Sequence, residues 1–268
     1  MLMETLVLAG AFAGTFATAW RADDINEEAL STLKQAHDIH ADAVALFERH
    51  KQDADASLQK LVNRKKGILS TRMNQFISVY EKIRAIDFRP EDGILELYAN
   101  QLSVRQVDEI KIMVTTSMKP MSEKELAVKY LFTGVGGMLL ADSKRNVAIA
   151  NTQKQIANTL YAQSKTLVIA MDTIGKHAEQ VASLLSHFSV LFGESINATK
   201  QIIQRNGTSR ERYSRSDREV LMNCLNLAVA IKAILDVPIL NADGSITEAS
   251  LKALQNGECR IHELKYSL

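Results

Sequence analysis

Apolar residues recur every three or four positions along most of this chain, the spacing of one buried face on an α-helix. The first such pattern runs through Leu33, Ala36, His40, Ala43, Phe47, Ala54, Leu58, Leu61, Phe76, Tyr80 and Ile83, with gaps at His50 and Lys65. Asp24 to Glu27 has the form of a capping box, in which side chains satisfy the first free amides of a helix. A single amphipathic helix is therefore expected from there to near Asp87, ahead of Arg89-Pro90. Unbroken, it would be about 90 Å long at 1.5 Å per residue. Gly67, after Arg64-Lys65-Lys66, is the expected kink or break. Such a helix needs partners, from this chain or from copies of it.

A second long pattern runs from about Ser143 to Asn206. Leu167, Met171, Ile174, Ala178, Val181, Leu185, Phe188, Phe192, Thr199 and Ile202 follow steps of four and three, skipping one at Ser195. That is the seam of an antiparallel bundle or coiled coil. Its first part, Asn146 to Gln163, is polar and reads as a solvated face. Between the two long patterns lie shorter helices, Glu91–Gln101 and Val104–Ser117. Ser122 to Glu125 is another capping box. It opens an apolar run, Leu126–Ala141, that carries Gly134, Gly136 and Gly137. Ser216 to Glu219 is expected to cap a helix over Asp217–Asp236 that is apolar on nearly every face, hence a buried central helix. Ser245–Asn256 reads as a short helix before a tail without clear period.

The segment Leu6–Trp20 stands apart, because it is apolar and free of charge. Gly10 and Gly14, with Ala17 and Thr18, supply small residues at helical spacing, which lets helix backbones approach closely inside a bilayer. Three readings remain open: a secretory signal, a short transmembrane helix and a buried core helix. The n-region lacks lysine and arginine, which argues against a signal. The run is slightly shorter than the usual span of about 17 to 25 residues. The membrane helix is the leading expectation. The first positive charges, Arg21 and Lys34, follow the run, which places the body in the cytoplasm and the anchor in the inner membrane.

The expected fold is all-α, a long-helix bundle or coiled-coil-like body behind an N-terminal membrane helix. The segments are 1–22 for the apolar helix, 23–90 for the long amphipathic helix, 91–240 for a helical bundle and 241–268 for the short helix and tail. Prolines occur only at 90, 120 and 238, each where a helical pattern stops. The net charge of +1 confines any nucleic-acid surface to a local patch. Cys224 and Cys259 make neither a disulfide framework nor a metal spacing.

Arg205, Arg210, Arg212, Arg215 and Arg218 form the one dense arginine cluster, with Tyr213 among them. Guanidinium forks suit phosphate or carboxylate, and a tyrosine can stack on a base. This loop is the candidate for a phosphate-bearing or nucleic-acid ligand, with a solvated loop balanced by Glu211, Asp217 and Glu219 as the alternative. Arg64, Lys65, Lys66 and Arg72 read as a charged outer helix face. His37 and His40 lie three apart but lack a second pair of ligands, so no metal is expected. His177 and His187 read as interface or surface histidines. No nucleophile elbow, phosphate loop or dinucleotide fingerprint occurs, so neither enzyme chemistry nor a cofactor is expected.

The stretch from Ala36 to Phe88, above all Phe76–Phe88, resembles uncharacterised bacterial helical proteins with glycine-rich apolar segments. The resemblance covers a minor part of the chain and implies no activity. The leading functional expectation is a membrane-associated homo-oligomer of the channel or pore type, gated by a ligand or partner. Its N-terminal helices would cluster in the bilayer, with Asp23, Asp24, Glu27 and Glu28 ringing the cytoplasmic mouth. The alternative is a non-catalytic, membrane-anchored scaffold that binds partner helices.

Overall fold

The computed structural model describes residues 27–100, 102–132 and 164–266. Among these every regular element is helical, apart from one isolated antiparallel bridge between Leu240 and Ile246. The all-α expectation holds. The order is α1 (Glu27–Ile68), a π-turn (Leu69–Met73), α2 (Asn74–Arg84), a 3-10 turn (Pro90–Asp92), α3 (Ile94–Asn100) and α4 (Val104–Met118). Then follow α5 (Glu123–Ala127), a second π-turn (Val128–Phe132), α6 (Ser164–Asn206), a 3-10 turn (Arg210–Arg212), α7 (Arg215–Asp236) and α8 (Glu248–Tyr266).

Local chemistry sets these boundaries. All three prolines follow an extended residue, as the proline ring demands of its predecessor: Arg89 (φ −101°, ψ 162°), Lys119 (φ −70°, ψ 144°) and Val237 (φ −75°, ψ 126°). Ser103 and Gln106 form the capping box of α4, and Ser122 and Glu125 form the one expected at α5. The cap of α7 is Ser214 with Asp217, two residues earlier than the sequence pattern placed it. Gly207 ends α6 in the left-handed region (φ +66°), and its amide bonds back to the Ile203 carbonyl. Gly67 does not break the first long helix. The backbone passes through it and widens into the π-turn at Leu69–Met73, so helical structure continues to Arg84. The C-terminal tail is also helical, to Tyr266.

The described residues fall into two compact units. The first holds residues 27–58 of α1, 164–177 of α6 and the turn at 242–245. Here α1 and α6 run in the same direction. His50 meets Asp172, and one turn later Ala54 lies against Gly175. In this unit α6 therefore faces a parallel neighbour, whereas farther along it runs antiparallel to α7, with Asn206 on Asp217 and the Thr199 and Ser195 hydroxyls at Cys224. Ala54, Ser57, Leu58, Met171 and His177 are buried in this unit, while Leu46 and Ile169 are exposed.

The second unit holds the remainder of the described chain. Its core is apolar and aromatic: Leu61, Leu69, Met73, Phe76 and Ile83 from the first helical stretch, with Leu185, Phe188, Phe192 and Ile196 from α6. The rings of Phe76 and Phe192 stand 5.5 Å apart. α7 adds Leu221, Leu225 and Ile231, confirming it as a central helix. α4 packs on the first π-turn and on α2. α8 packs on α7, and its Gly257 lies directly against Leu184 of α6. The start of the second apolar run belongs to this core, since Leu126, Tyr130 and Leu131 are all buried.

Candidate functional site

The arginine cluster occupies the connection between α6 and α7. Left-handed Gly207 turns the chain, and the Tyr213 hydroxyl closes the turn by donating to the Gly207 carbonyl at 2.5 Å. Tyr213 is buried edge-on against Phe88, with ring centroids 5.7 Å apart, and is not presented for stacking on a base. The Asp87 amide donates to the Thr208 carbonyl, which ties this connection to the turn after α2.

Two carboxylates organise the guanidinium groups. Asp92, with only 1% of its side chain exposed, accepts from Arg210 through both oxygens, Nε at 2.7 Å and Nη2 at 2.9 Å. The Arg218 Nε lies 3.4 Å from the same carboxylate, and the Arg89 amide donates to it at 2.9 Å. Asp217 accepts from Arg205 at 2.6 Å, from Asn206 at 3.3 Å, and from the amide and hydroxyl of Ser214. The hydrogen bond from Arg210 holds the Asp92 carboxyl below the usual carboxylate range, against the opposing effect of burial. Burial also works against the Asp217 carboxylate, but the bonds from Ser214 and the charge of Arg205 outweigh it and keep its pKa low.

Arg215 pairs with Glu219 at 3.1 Å on the exposed face of α7. Arg212 is exposed and makes no ion pair among the described residues. Residues 87–92 and 205–219 together carry as many acids (Asp87, Glu91, Asp92, Glu211, Asp217, Glu219) as arginines. The forks of Arg205, Arg210 and Arg218 are thus turned onto the chain's own carboxylates. The cluster works as a clasp between the α6–α7 connection and the Pro90–Asp92 turn. An external anion would have to compete with bidentate pairing to a buried carboxylate.

Two polar contacts coincide with the gaps in the first hydrophobic pattern. His50 Nδ1 lies 2.5 Å from Asp172 Oδ1 and joins the parallel helices of the first unit. Lys65 is fully buried, which corrects its reading as part of a charged outer face. Its ammonium donates to the carbonyls of Tyr130 (3.3 Å), Leu235 (3.4 Å) and Val237 (3.0 Å). Burial pulls its pKa down to about 7, partly opposed by the nearby Asp236 carboxylate.

Gly10, Gly14, Ala17, Thr18, Asp23 and Asp24 lie outside the described residues, as do Gly134, Gly136 and Gly137. Glu27 and Glu28 open α1, and His37 and His40 lie within it. His177 is buried, and burial lowers its pKa; His187 is exposed. Cys224 is a buried thiol that burial pushes up to about 11, although the Thr199 and Ser195 hydroxyls oppose this. That is the opposite of an activated nucleophile. No group of His, Cys, Asp and Glu suited to a metal occurs among the described residues. A hollow of about 170 Å³ beside α2 and α4 is lined by Tyr80, Glu81, Arg84, Val104, Val107, Asp108 and Lys111. It is smaller than the usual ligand pocket of about 300 Å³ or more, and Lys111 is paired with Glu81 at 2.9 Å. No described helix is long and apolar enough to cross a membrane.

Comparison with protein-family models, with curated proteins and with solved structures finds no match to this chain.

Proposed function

We propose that this chain is a membrane-associated, non-catalytic helical scaffold. Residues 6–20 insert into the bilayer, and the body behind them offers helical surfaces to further copies or to partner helices. The observation that carries this reading is the uncharged 6–20 run, set just ahead of the 42-residue amphipathic helix α1. No described helix is long and apolar enough to cross a membrane, and in this reading residues 6–20 make the membrane contact. The small residues Gly10, Gly14, Ala17 and Thr18 favour packing of neighbouring anchors. Leu46 and Ile169, exposed by 48% and 67% in the first unit, are apolar positions that a partner helix would cover.

The scaffold is favoured over a ligand-gated pore by the state of the arginine cluster. A gate that answers to an anion needs free guanidinium groups, and Arg205, Arg210 and Arg218 are spent on Asp92 and Asp217. An acidic mouth at Asp23, Asp24, Glu27 and Glu28 would remain under the pore reading, without that gate.

Carbonate extraction of membranes from cells that make the full chain tests the proposal. The full chain should stay in the pellet, and a chain lacking residues 1–20 should move to the supernatant. Equal extraction of both would remove the anchor. Ion flux in liposomes reconstituted with the full chain would replace the scaffold with the pore.

A further inference from the structure

We propose that Lys65 is the bolt of a proton-linked latch, in which its side-chain nitrogen ties the C-terminal end of α7 to the second π-turn and local opening carries it into water. The geometry is specific. Leu235 and Val237 flank Asp236 where α7 stops, in the part of a helix whose carbonyls have no helical partner. Tyr130 belongs to the π-turn Val128–Phe132. One buried cation serves carbonyls from both places. Beside it, the amides of Ile239 and Leu240 both donate to the Leu131 carbonyl, at 2.7 and 2.9 Å. The segment after α7 and the π-turn are therefore fastened twice, once by Lys65 and once by backbone.

The charge around Lys65 is unusual for a buried cation. Asp236 is the nearby acid, but one of its oxygens is taken by Lys232, and Oδ1 is buried without a hydrogen-bond partner. Lys232 also faces Glu109 of α4 at 3.6 Å. The Tyr130 hydroxyl is buried and unpartnered, and burial pushes its pKa up to about 12, so it stays protonated. The Lys65 nitrogen donates to three neutral carbonyl dipoles, those of Tyr130, Leu235 and Val237. A charge held this way is costly unless paired. Its pKa of about 7 in the closed state follows.

In the open state Lys65 regains water and the ordinary lysine range near 10.5. Opening then takes up a proton throughout the interval from about 7 to 10.5. The closed form gains on the open form by up to about tenfold per pH unit across that interval, and the gain levels off below pH 7. Acidification loosens the latch down to neutrality. Above neutrality the neutral amine keeps two N–H donors for two of the three carbonyls, no charge is buried, and the latch tightens.

Amide hydrogen exchange on the full chain between pH 6.5 and 9.5, corrected for intrinsic rates, reads this directly. Ile239 and Leu240 should be less protected than the α2 core around Phe76–Ile83, because they open locally. Their protection should rise up to about tenfold per unit above pH 7.5. In Lys65→Met that rise should disappear. Equal protection of Ile239, Leu240 and the α2 core would show that this region opens only when the unit unfolds, and would overturn the latch. So would a flat profile in the native chain, which needs no variant to fold, or a slope that survives in Lys65→Met.

Discussion

Replacing Asp92 by alanine removes the anchor of the arginine clasp. The side chain is 1% exposed and receives two bonds from Arg210, one from the Arg89 amide and the charge of Arg218. Breaking a fully buried ion pair from one side costs about 3–5 kcal/mol, because the remaining charge is stranded. Here the stranded charges are not fully dry, since the Arg210 and Arg218 side chains keep 23% and 26% of their exposure and water can replace part of the loss. The expected destabilisation by Asp92→Ala is therefore about 2–4 kcal/mol. At about 2–4 °C per kcal/mol for a protein of this size, the melting transition should fall by roughly 10 °C. Urea titration followed by helical circular dichroism measures it. Adding Arg210→Met to Asp92→Ala should cost less than the two single losses combined, because the pair acts as one contact. The pH dependence has a fixed sign. Asp92 is held below its ordinary range of about 3.8, so its stabilisation is complete above that value and is lost as pH falls through its lowered one. A loss below about 0.5 kcal/mol, typical of a surface substitution, or strict additivity with Arg210→Met, would refute this account of the clasp.

Gly257→Ala should destabilise by about 1–3 kcal/mol, the usual cost of overpacking, because the new Cβ would meet Leu184 Cδ2 at 2.5 Å in the core. Gly193→Ala has a contact nearly as short, 2.7 Å, but to the guanidinium carbon of Arg72, a long side chain able to swing away. Its melting temperature should stay close to that of the native chain. Ser214→Ala should lower stability by about 1 kcal/mol by uncapping α7, measured by urea titration. Arg212→Ala should leave stability unchanged, since Arg212 is exposed and unpaired among the described residues, and binding of inorganic phosphate by calorimetry should be absent with or without it.

The apolar pattern is a sound guide to the elements and an incomplete guide to their pairing. Steps of three and four placed Ala178, Val181, Leu185, Phe188 and Phe192 on one face, and all are buried. A heptad-like seam carries no arrow, however: the same stripe suits a parallel or an antiparallel neighbour. Direction comes from contacts: His50 with Asp172 and Ala54 with Gly175 make α1 and α6 parallel, while Asn206 with Asp217 and Thr199 with Cys224 make α6 and α7 antiparallel. The two gaps in the first pattern held the most specific chemistry. Lys65 falls four residues after Leu61 and four before Leu69, on the buried face, and this register was the available sign that a cation lies inside. The neighbouring Arg64 and Lys66 disguised it as part of a basic run. The arginine cluster was legible as a loop of guanidinium groups, but its partner Asp92 lies more than a hundred residues earlier, beyond the reach of local spacing. Helix propensity marks Gly67 as a break, whereas the helix runs past it into a π-turn in which Leu69 and Met73 are buried.

Trp20 closes the apolar N-terminal run and is the single tryptophan of the chain, which makes it a native probe of that run. Its fluorescence should shift to shorter wavelength when the full chain is mixed with liposomes, and lipids carrying bromine on the acyl chain should quench it. Emission that neither shifts nor is quenched, with the chain left free of the vesicles, would contradict membrane association.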